Sequence, residues 1–234
     1  GESFRNKFNI SKDAFVVGHV GRLAPEKNLE FLTRAVAEFL KKQSAAHFLV
    51  GGKGPSEEMM QQIMTQEGLQ DRFHLVGVLK GPELVDAYHA MDVFVFASQS
   101  ETQGLVLTEA MAAGIPVVAV DAPGVREVVQ DGKNGRLLSK ENREEFISGL
   151  EWLNKLSAKE LKEVKKSCLE TAQLFSIEVS VERALKIYFS LLIQGFIRRN
   201  SDESPWAGTV RMIQTQWGLV KNLTKATGAM MASV

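Results

Sequence analysis

The sequence predicts an α/β fold: a doubly wound, mainly parallel, six-stranded Rossmann-like sheet with extra C-terminal helices. Short apolar runs alternate with amphipathic stretches from about residue 14 to about residue 150. The apolar runs are continuous, as expected for strands whose two faces are both covered by helices. Strands that alternate with helices pair in parallel through right-handed crossovers. Ligands of such sheets bind beyond the carboxyl ends of the strands, so we expect functional residues in the loops that follow strands.

Six apolar runs are the predicted strands, and amphipathic segments separate them. The strands cover residues 14–20, 47–50, 73–78, 92–97, 116–120 and 135–138. The intervening helices cover residues 28–42, 56–67, 82–91, 105–113 and 124–130. Asn28 is expected to cap the first of these helices, because its side-chain oxygen can accept hydrogen bonds from first-turn amides.

The composition excludes several classes of protein. The 234 residues carry 28 basic and 28 acidic side chains, so no net charge attracts nucleic acid. The single cysteine, Cys168, excludes a disulfide framework and fits a reducing compartment. No run of about 18 apolar residues occurs, and the N-terminal segment lacks a secretory hydrophobic region. We therefore expect a cytoplasmic protein without a membrane span.

The four histidines are expected to be structural. Three of them, His19, His47 and His74, lie within predicted strands, and His89 lies on a predicted helix beside Tyr88. They are too scattered along the sequence to suggest a metal site.

The glycine-containing loops do not match the two common phosphate-binding fingerprints. The Gly-x-Gly-x-x-Gly pattern requires a spacing that residues 18–23, after the first predicted strand, do not have. Residues 52–54 follow the second strand, but Glu57 stands where the last glycine should be. The P-loop pattern is absent as well. These observations argue against a nicotinamide dehydrogenase and against a P-loop nucleotidase.

Two cations flank the turn after the first predicted strand. Arg22 and Lys27 lie five residues apart in the segment GRLAPEKN, which opens a helix. An arginine supplies a forked donor and a lysine a compact charge, so the two together can bracket a diphosphate. The alternative is a pair of solvated cations with Glu26 as their partner.

A second cluster follows the fourth predicted strand and opens another helix. The backbone amides of Gly104, Leu105 and Val106 would lie at the N-terminus of that helix. Unpaired N–H groups and the helix dipole favour an anion there, and Gly104 lets the backbone come close to it.

Two acidic residues accompany this predicted anion site. Glu101 and Glu109 are eight residues apart, about two helical turns, so both carboxylates can face one ligand. Carboxylates repel phosphate but accept hydrogen bonds from hydroxyls. The combination fits a nucleotide sugar, with Glu101 on a sugar hydroxyl and Glu109 on the ribose. The alternative is that Glu101 caps the helix and Glu109 is merely exposed.

Three separated motifs carry a resemblance to a known family. GRLAPEKN, ETQGLVLTEAMAAGIPVVA and DAPGVREVVQDGKNGRLL occur in this order. Over roughly residues 1–195 they resemble the C-terminal, donor-binding domain of retaining glycosyltransferases with the GT-B fold, of the group 1 type. Glu101 and Glu109 match the E-x7-E pattern of that family. The resemblance implies a hexosyltransferase that uses a nucleoside-diphosphate sugar, such as UDP-glucose or GDP-mannose, and a lipid, glycan or small-molecule acceptor.

The resemblance also implies a role for each candidate residue. Cations would neutralise the diphosphate, helix amides would bind phosphate, the two acids would hold sugar and ribose, and apolar residues would border the base. The implied catalytic residues are Arg22, Lys27 and Glu101. The implied donor-binding residues are Gly21, Val78, Leu79, Gly104, Leu105, Val106 and Glu109. No cofactor and no metal ion is implied, because the cations and the helix dipole balance the diphosphate charge.

The sequence departs from the family pattern in two ways. Members often have a glycine and an aromatic residue between the positions of Glu101 and Gly104, where this chain has Thr102 and Gln103. The resulting E-T-Q-G variant is similar to that of lipid-directed members, including glucosyl-diacylglycerol synthases. The resemblance also covers only one of the two domains of such enzymes. We therefore expect a domain fragment that binds donor weakly and transfers nothing without an N-terminal acceptor domain.

Residues 1–196 are predicted as the donor-binding domain, and residues 197–234 as a linker with a C-terminal amphipathic helix. Residues from Trp206 to Val220 show one apolar stripe at helical spacing. That helix could pack on its own domain, dock on the N-terminal domain, or contact an inner membrane surface peripherally. Two other functions stay open: half of a sugar-nucleotide epimerase, which the paired glutamates do not favour, and a non-catalytic nucleotide-sugar-binding module.

Overall fold

The structure of the chain is a computed structural model that describes residues 1–98, 100, 104–199 and 209–218, with no side-chain detail for 194–199. The chain divides into two compact units, Gly1–Ser176 and Ile177–Val234.

The first unit contains a six-stranded sheet in the order β3-β2-β1-β4-β5-β6, in which every pairing is parallel. The strands are β1 Phe15–Val20, β2 Ala46–Gly51, β3 Phe73–Gly77, β4 Val93–Phe96, β5 Val117–Val120 and β6 Gly135–Leu138. This order confirms the predicted doubly wound Rossmann-like sheet. The strand order reverses between β1 and β4, and this switch point is where such sheets bind ligands.

Helices flank the sheet and fill most of the connections. They are α1 Glu2–Lys7, α2 Leu29–Lys42, α3 Glu57–Gln66, α4 Pro82–His89, α5 Leu105–Ala112, α6 Pro123–Arg126, α7 Arg143–Asn154 and α8 Ala158–Leu174. Short 3-10 turns cover Pro25–Lys27 and Gln70–Arg72. The central strands are buried along their whole length, which explains why they are continuous apolar runs in the sequence.

Helix α1 is an element that the sequence does not predict. It is only six residues long and its surface is largely polar, so it carries little apolar periodicity. Its anchor is Arg5, which is 9% exposed. The guanidinium donates to the carbonyl of Ala90 at 2.9 Å and pairs with Asp92 at 2.8 Å. A long-range polar contact therefore holds this helix against the sheet.

Asn28 does not cap α2 with its side chain, so that prediction was wrong. The residue has φ of 53° and makes no side-chain capping hydrogen bond. Its backbone N–H donates to the carbonyl of Pro25 at 2.9 Å, and its own carbonyl accepts from Leu32 at 3.2 Å. This φ lies in the left-handed region, which asparagine tolerates better than most residues.

The second unit begins with one long helix, α9 Ile177–Arg199. The predicted domain boundary at residues 196/197 falls inside this helix, whereas the structure divides the chain between Ser176 and Ile177. A further helix covers residues 209–218, within the predicted tail. None of the helices described is long and apolar enough to cross a bilayer.

Candidate functional site

The loops after β1 and β2 are joined through their backbones. The N–H of Gly21 donates to the carbonyl of Gly51 at 3.0 Å, and the N–H of Leu23 donates to the carbonyl of Lys53 at 3.0 Å. The N–H of Ser56 returns a third bond to the carbonyl of Leu23 at 2.9 Å. The segment that carries Arg22 is therefore held from both sides by the loop of the neighbouring strand.

Glycine is required where these two loops touch. Gly52 has φ of 136°, and a Cβ at this position would lie 1.9 Å from the carbonyl oxygen of Gly21. A Cβ on Gly54 would lie 2.3 Å from the carbonyl oxygen of Leu23. Real Cβ atoms do not approach backbone oxygens this closely, so the close packing of the loops depends on two residues without side chains.

Arg22 lies on the surface at the carboxyl end of β1. Its side chain is 71% exposed and forms an ion pair with Glu26, four residues further along. This is the partner that the alternative interpretation expects. An exposed pair of this kind contributes only about 0–1 kcal/mol, so an anionic ligand can compete with Glu26 for the guanidinium.

Lys27 lies above the end of β4. Its Nζ is 5.8 Å from the ring centroid of Phe96, the last residue of that strand. The hydroxyl of Ser98 donates to the carbonyl of Glu26 at 3.1 Å, which ties the 3-10 turn to the start of the next loop. Lys27, in the loop after β1, therefore lies beside the start of the loop between β4 and α5. The second predicted cluster begins in that loop.

Gly104 is the residue that precedes α5 at its N-terminus, and its φ is 60°. A Cβ on Gly104 would lie 3.2 Å from the carbonyl oxygen of Gly124 and 2.9 Å from Leu107 Cδ1. Leu105, with its side chain 59% exposed, and Val106 form the first helical turn. Amides in a first turn have no acceptor within their own helix, so they point their N–H groups outward at the positive end of the dipole.

Of the two predicted acids, the structure describes one. Glu101 lies outside the described residues, together with Thr102 and Gln103. Glu109 is exposed on the second turn of α5, and its Oε2 accepts a hydrogen bond of 2.8 Å from the hydroxyl of Tyr88. The sequence does not reveal this contact, because the two residues are 21 positions apart and lie on different helices.

Val78 and Leu79 follow β3 at the same edge of the sheet. Val78 is 57% exposed. Leu79 is half-buried and covers the end of β2, where a Cβ on Gly51 would lie 3.3 Å from Leu79 Cδ1. Their predicted role at the base of a nucleotide stays a prediction.

His19 lies directly beneath the Gly21 loop. It is 1% exposed, and its Nδ1 donates to the carbonyl of Val95 at 3.0 Å, which assigns the proton to that nitrogen. Its Nε2 is buried and has no hydrogen-bond partner among the described residues. Burial, with a smaller contribution from the nearby charge of Lys27, lowers the pKa of His19 to about 4. The ring is therefore neutral at pH 7 and stacks near Phe94.

We expect the free energy of unfolding to fall as the pH decreases from about 6.5 to about 4. The unfolded His19 binds a proton near pH 6.5, whereas the folded residue does so only near 4. The contribution of neutral His19 to the free energy of unfolding is thus complete above pH 6.5. Between pH 6.5 and about 4 it falls by about 1.4 kcal/mol per pH unit. Burial lowers the pKa of His74 to about 4 as well, so it adds in the same direction.

Urea unfolding followed between pH 4 and pH 8 measures this slope. His19→Gln keeps a donor for the Val95 carbonyl but has no titrating ring, and it should flatten the pH dependence. Gln61→Ala, at an exposed residue of α3 that does not titrate, is the control and should leave the slope unchanged. An equal slope in the His19→Gln variant would contradict the prediction.

In the described part of the chain, Cys168 does not form a nucleophilic site and the acidic residues do not form a metal site. Cys168 is fully buried, and burial raises the pKa of its thiol to about 12. A thiol in this state is a poor nucleophile. Within the described ranges, no three His, Cys, Asp or Glu side chains come together as metal ligands.

An all-parallel Rossmann-like sheet with cations and a helix N-terminus at its switch point defines a class of anion-binding α/β domain. Residues 2–169 match the family model described as Glycosyl transferases group 1. The chain therefore belongs to this family, and its first unit corresponds to one half of the GT-B fold.

Curated relatives cover the same part of the chain. The chain is 32% identical over 149 residues to alpha-monoglucosyldiacylglycerol synthase of Acholeplasma laidlawii, which is 64% of the chain and 37% of that protein. It is 40% identical over 141 residues to sulfoquinovosyl transferase SQD2 of Arabidopsis thaliana, which is 59% of the chain and 26% of that protein. The alignments thus span well under half of these relatives' length.

Solved structures show the same architecture. Anabaena HepE in complex with UDP-glucose has a TM-score of 0.70 and 25% identity, and the match covers 81% of this chain and 52% of HepE. The C-terminal domain of the group 1 family protein LpcC from Francisella tularensis has a TM-score of 0.65 at 22% identity. That match covers 75% of this chain and 92% of the LpcC domain, and it shows likeness of fold.

Proposed function

We propose that this chain is the donor-binding domain of a retaining hexosyltransferase that uses a nucleoside-diphosphate sugar. The observation that carries the proposal is the position of Lys27 over Phe96, at the end of β4. The loop that begins there leads directly to the N-terminus of α5. Lys27, in the loop after β1, and the N-terminus of α5, which follows the neighbouring strand β4, thus lie at one switch point. This combination is suited to a diphosphate.

Arg22, Lys27 and the first-turn amides of α5 would neutralise the diphosphate. When the bond between the anomeric carbon and the diphosphate oxygen breaks, negative charge grows on the departing nucleoside diphosphate. Preorganised donors stabilise this charge more strongly in the transition state than in the ground state, which lowers the barrier. In this proposal Arg22 leaves Glu26 for the phosphate, and no metal ion or other cofactor takes part.

The remaining predicted residues would contact the sugar and the nucleoside. Glu101 would accept hydrogen bonds from the transferred hexose, and Glu109 from the ribose hydroxyls. Val78 and Leu79 would border the base, and the close backbone approach at Gly21 would leave room for the phosphates. Each of these roles follows from the resemblance and from the location of the residue in a loop after a strand or on the helix that follows.

The donor and acceptor are proposed from the relatives. HepE was solved with UDP-glucose, and a relative from Mycobacterium tuberculosis, 37% identical over 123 residues, is named GDP-mannose-dependent alpha-mannosyltransferase. These names support UDP-glucose or GDP-mannose as donor. The similarity to a diacylglycerol glycolipid synthase supports a lipid acceptor over a glycan or a small molecule. We further propose that transfer requires an acceptor-binding domain and occurs in the cytoplasm, with the tail helix peripheral at the inner membrane surface.

A crystal structure of the chain with UDP-glucose, and one with GDP-mannose, tests the proposal. We expect the diphosphate of the preferred donor against Arg22, Lys27 and the amides of residues 104–106. Calorimetry should show that UDP or GDP binds more tightly than the corresponding monophosphate, because the second phosphate adds contacts with the cations. A diphosphate bound elsewhere, or equal affinity for monophosphate and diphosphate, would refute the assignment.

A further inference from the structure

A buried tyrosine holds one of the proposed donor-binding residues. The hydroxyl of Tyr88, on α4, donates a hydrogen bond of 2.8 Å to Oε2 of Glu109, on α5. Tyr88 is 3% exposed, and its ring lies 5.9 Å from that of Phe94 in β4. Glu109 itself is exposed. The bond therefore joins a rigid donor in the core to a carboxylate at the surface.

This arrangement restricts Glu109 more than its exposure suggests. An exposed glutamate samples many rotamers, and fixing it when a ligand binds costs conformational entropy. The phenol is held by its packed ring and cannot follow a moving carboxylate, so a bond to Oε2 selects a few rotamers. The second oxygen, Oε1, is not used by Tyr88 and can still accept hydrogen bonds.

The tyrosine stays a hydrogen-bond donor over the whole working range of pH. Burial and the neighbouring carboxylate of Glu109 both raise the pKa of Tyr88 well above its usual value. A buried hydroxyl also needs an acceptor, and Glu109 provides it. The pair is therefore a permanent feature of the folded domain and exists before any ligand binds.

We propose that Tyr88 is a positioning residue for nucleotide recognition: it fixes Glu109 so that one carboxylate oxygen is ready for the vicinal hydroxyls of the donor ribose. The inference rests on the proposed function, because it takes Glu109 as the ribose ligand. The inference adds to the proposed site a residue, Tyr88, that contacts neither the diphosphate nor the transferred hexose. Its consequence is a preference for ribonucleotides that depends on a tyrosine hydroxyl in the core.

The variant Tyr88→Phe removes only that hydroxyl, and its effect should depend on the ribose. We expect Tyr88→Phe to weaken UDP or GDP binding by about 3- to 10-fold, as for loss of a partly exposed hydrogen bond to a charged group. Binding of the matching 2′,3′-dideoxynucleoside diphosphate should not change, because it has no hydroxyls for Glu109. Tyr188→Phe, at an exposed tyrosine on α9, is the matched control and should leave both affinities unchanged.

A double-mutant cycle separates positioning from a merely structural contact. Glu109→Ala should show the same ribose-dependent loss, and Tyr88→Phe added to Glu109→Ala should cost little more, since the two residues act as one unit. Thermal midpoints of all variants show whether the fold is retained, and Glu109→Ala gives a second measurement if Tyr88→Phe is unstable.

The outcomes distinguish the inference from the function on which it rests. If neither UDP nor GDP binds the unaltered chain, the proposed function fails. If they bind and Tyr88→Phe weakens the ribonucleotide and the dideoxynucleotide equally, the donor site stands and the positioning role of Tyr88 is overturned. The positioning role would also be overturned if the unaltered chain bound the ribonucleoside diphosphate and its 2′,3′-dideoxy counterpart with equal affinity.

Discussion

Replacing Arg22 and Lys27 together by alanine is expected to weaken the binding of UDP or GDP at least about a hundredfold. A charge-assisted hydrogen bond to phosphate contributes roughly 1.5–3 kcal/mol, and the variant removes two such donors. Isothermal titration calorimetry at fixed ionic strength measures the loss. The dependence of affinity on salt should also become shallower, because two charges no longer face the ligand.

The single substitutions should be unequal. Lys27 is half-buried against Phe96, so its interaction with a phosphate is screened less than that of Arg22, which is 71% exposed. Lys27→Ala should therefore cost more than Arg22→Ala. Glu26→Gln should tighten binding several-fold, since it removes the acid that competes with phosphate for Arg22.

A matched pair of cations on α2 provides the control. Arg34 pairs with Glu30 at the same four-residue spacing as Arg22 with Glu26, and Lys41 pairs with Glu67 on the surface. The variant Arg34→Ala with Lys41→Ala changes the net charge equally and should leave the affinity nearly unchanged. If both double variants bind UDP or GDP as tightly as the unaltered chain, the cations of the β1 loop do not hold the diphosphate.

Replacing Gly52 by alanine is expected to destabilise the first unit by about 3 kcal/mol and to weaken donor binding with it. The φ of 136° is a conformation that other residues rarely adopt, which by itself costs about 1–3 kcal/mol. The new Cβ would also lie 1.9 Å from the carbonyl oxygen of Gly21, so one of the two loops must move. That movement displaces Arg22, and the effect should appear in chemical denaturation and in UDP or GDP titrations alike.

Gly132→Ala separates the two causes. Gly132 also has a positive φ, 74°, but in the part of the chain that the structure describes no atom lies within 4 Å of its added Cβ. We expect this variant to lose only about 1 kcal/mol through backbone strain, with no change in nucleotide affinity. Equal losses of stability in the Gly52 and Gly132 variants would mean that the close contact between the loops after β1 and β2 does not add to the destabilisation caused by Gly52→Ala.

The strands and most helices of the first unit could be predicted because their signals are local. A strand covered on both faces is a continuous apolar run, and a helix against a sheet shows a period near 3.6. Two features could not be predicted, for different reasons. Helix α1 depends on the long-range contact of Arg5 with Asp92, whereas the left-handed conformation of Asn28 belongs to the short turn that precedes α2. Neither has a strong pattern of its own.

The candidate site divides in the same way. Arg22, Lys27, Gly104 and Glu109 could be chosen as candidates from the sequence because each lies at or close to the junction of a strand, a loop and a helix. The contact of Lys27 with Phe96, the contact of Gly52 with Gly21 and the hydrogen bond from Tyr88 to Glu109 could not. Each joins residues that are far apart in the chain and close only in the folded sheet.

The amino-acid pattern by itself determined the parallel sheet, its switch point and the positions of the loops that follow the strands, because hydrophobic periodicity and turn residues act over a few positions. Only the tertiary structure decided which side chains meet at that switch point and which residue orients Glu109. The physical reason is that strand order brings distant loops together, and the distances between their atoms depend on the packing of the whole unit rather than on any one segment.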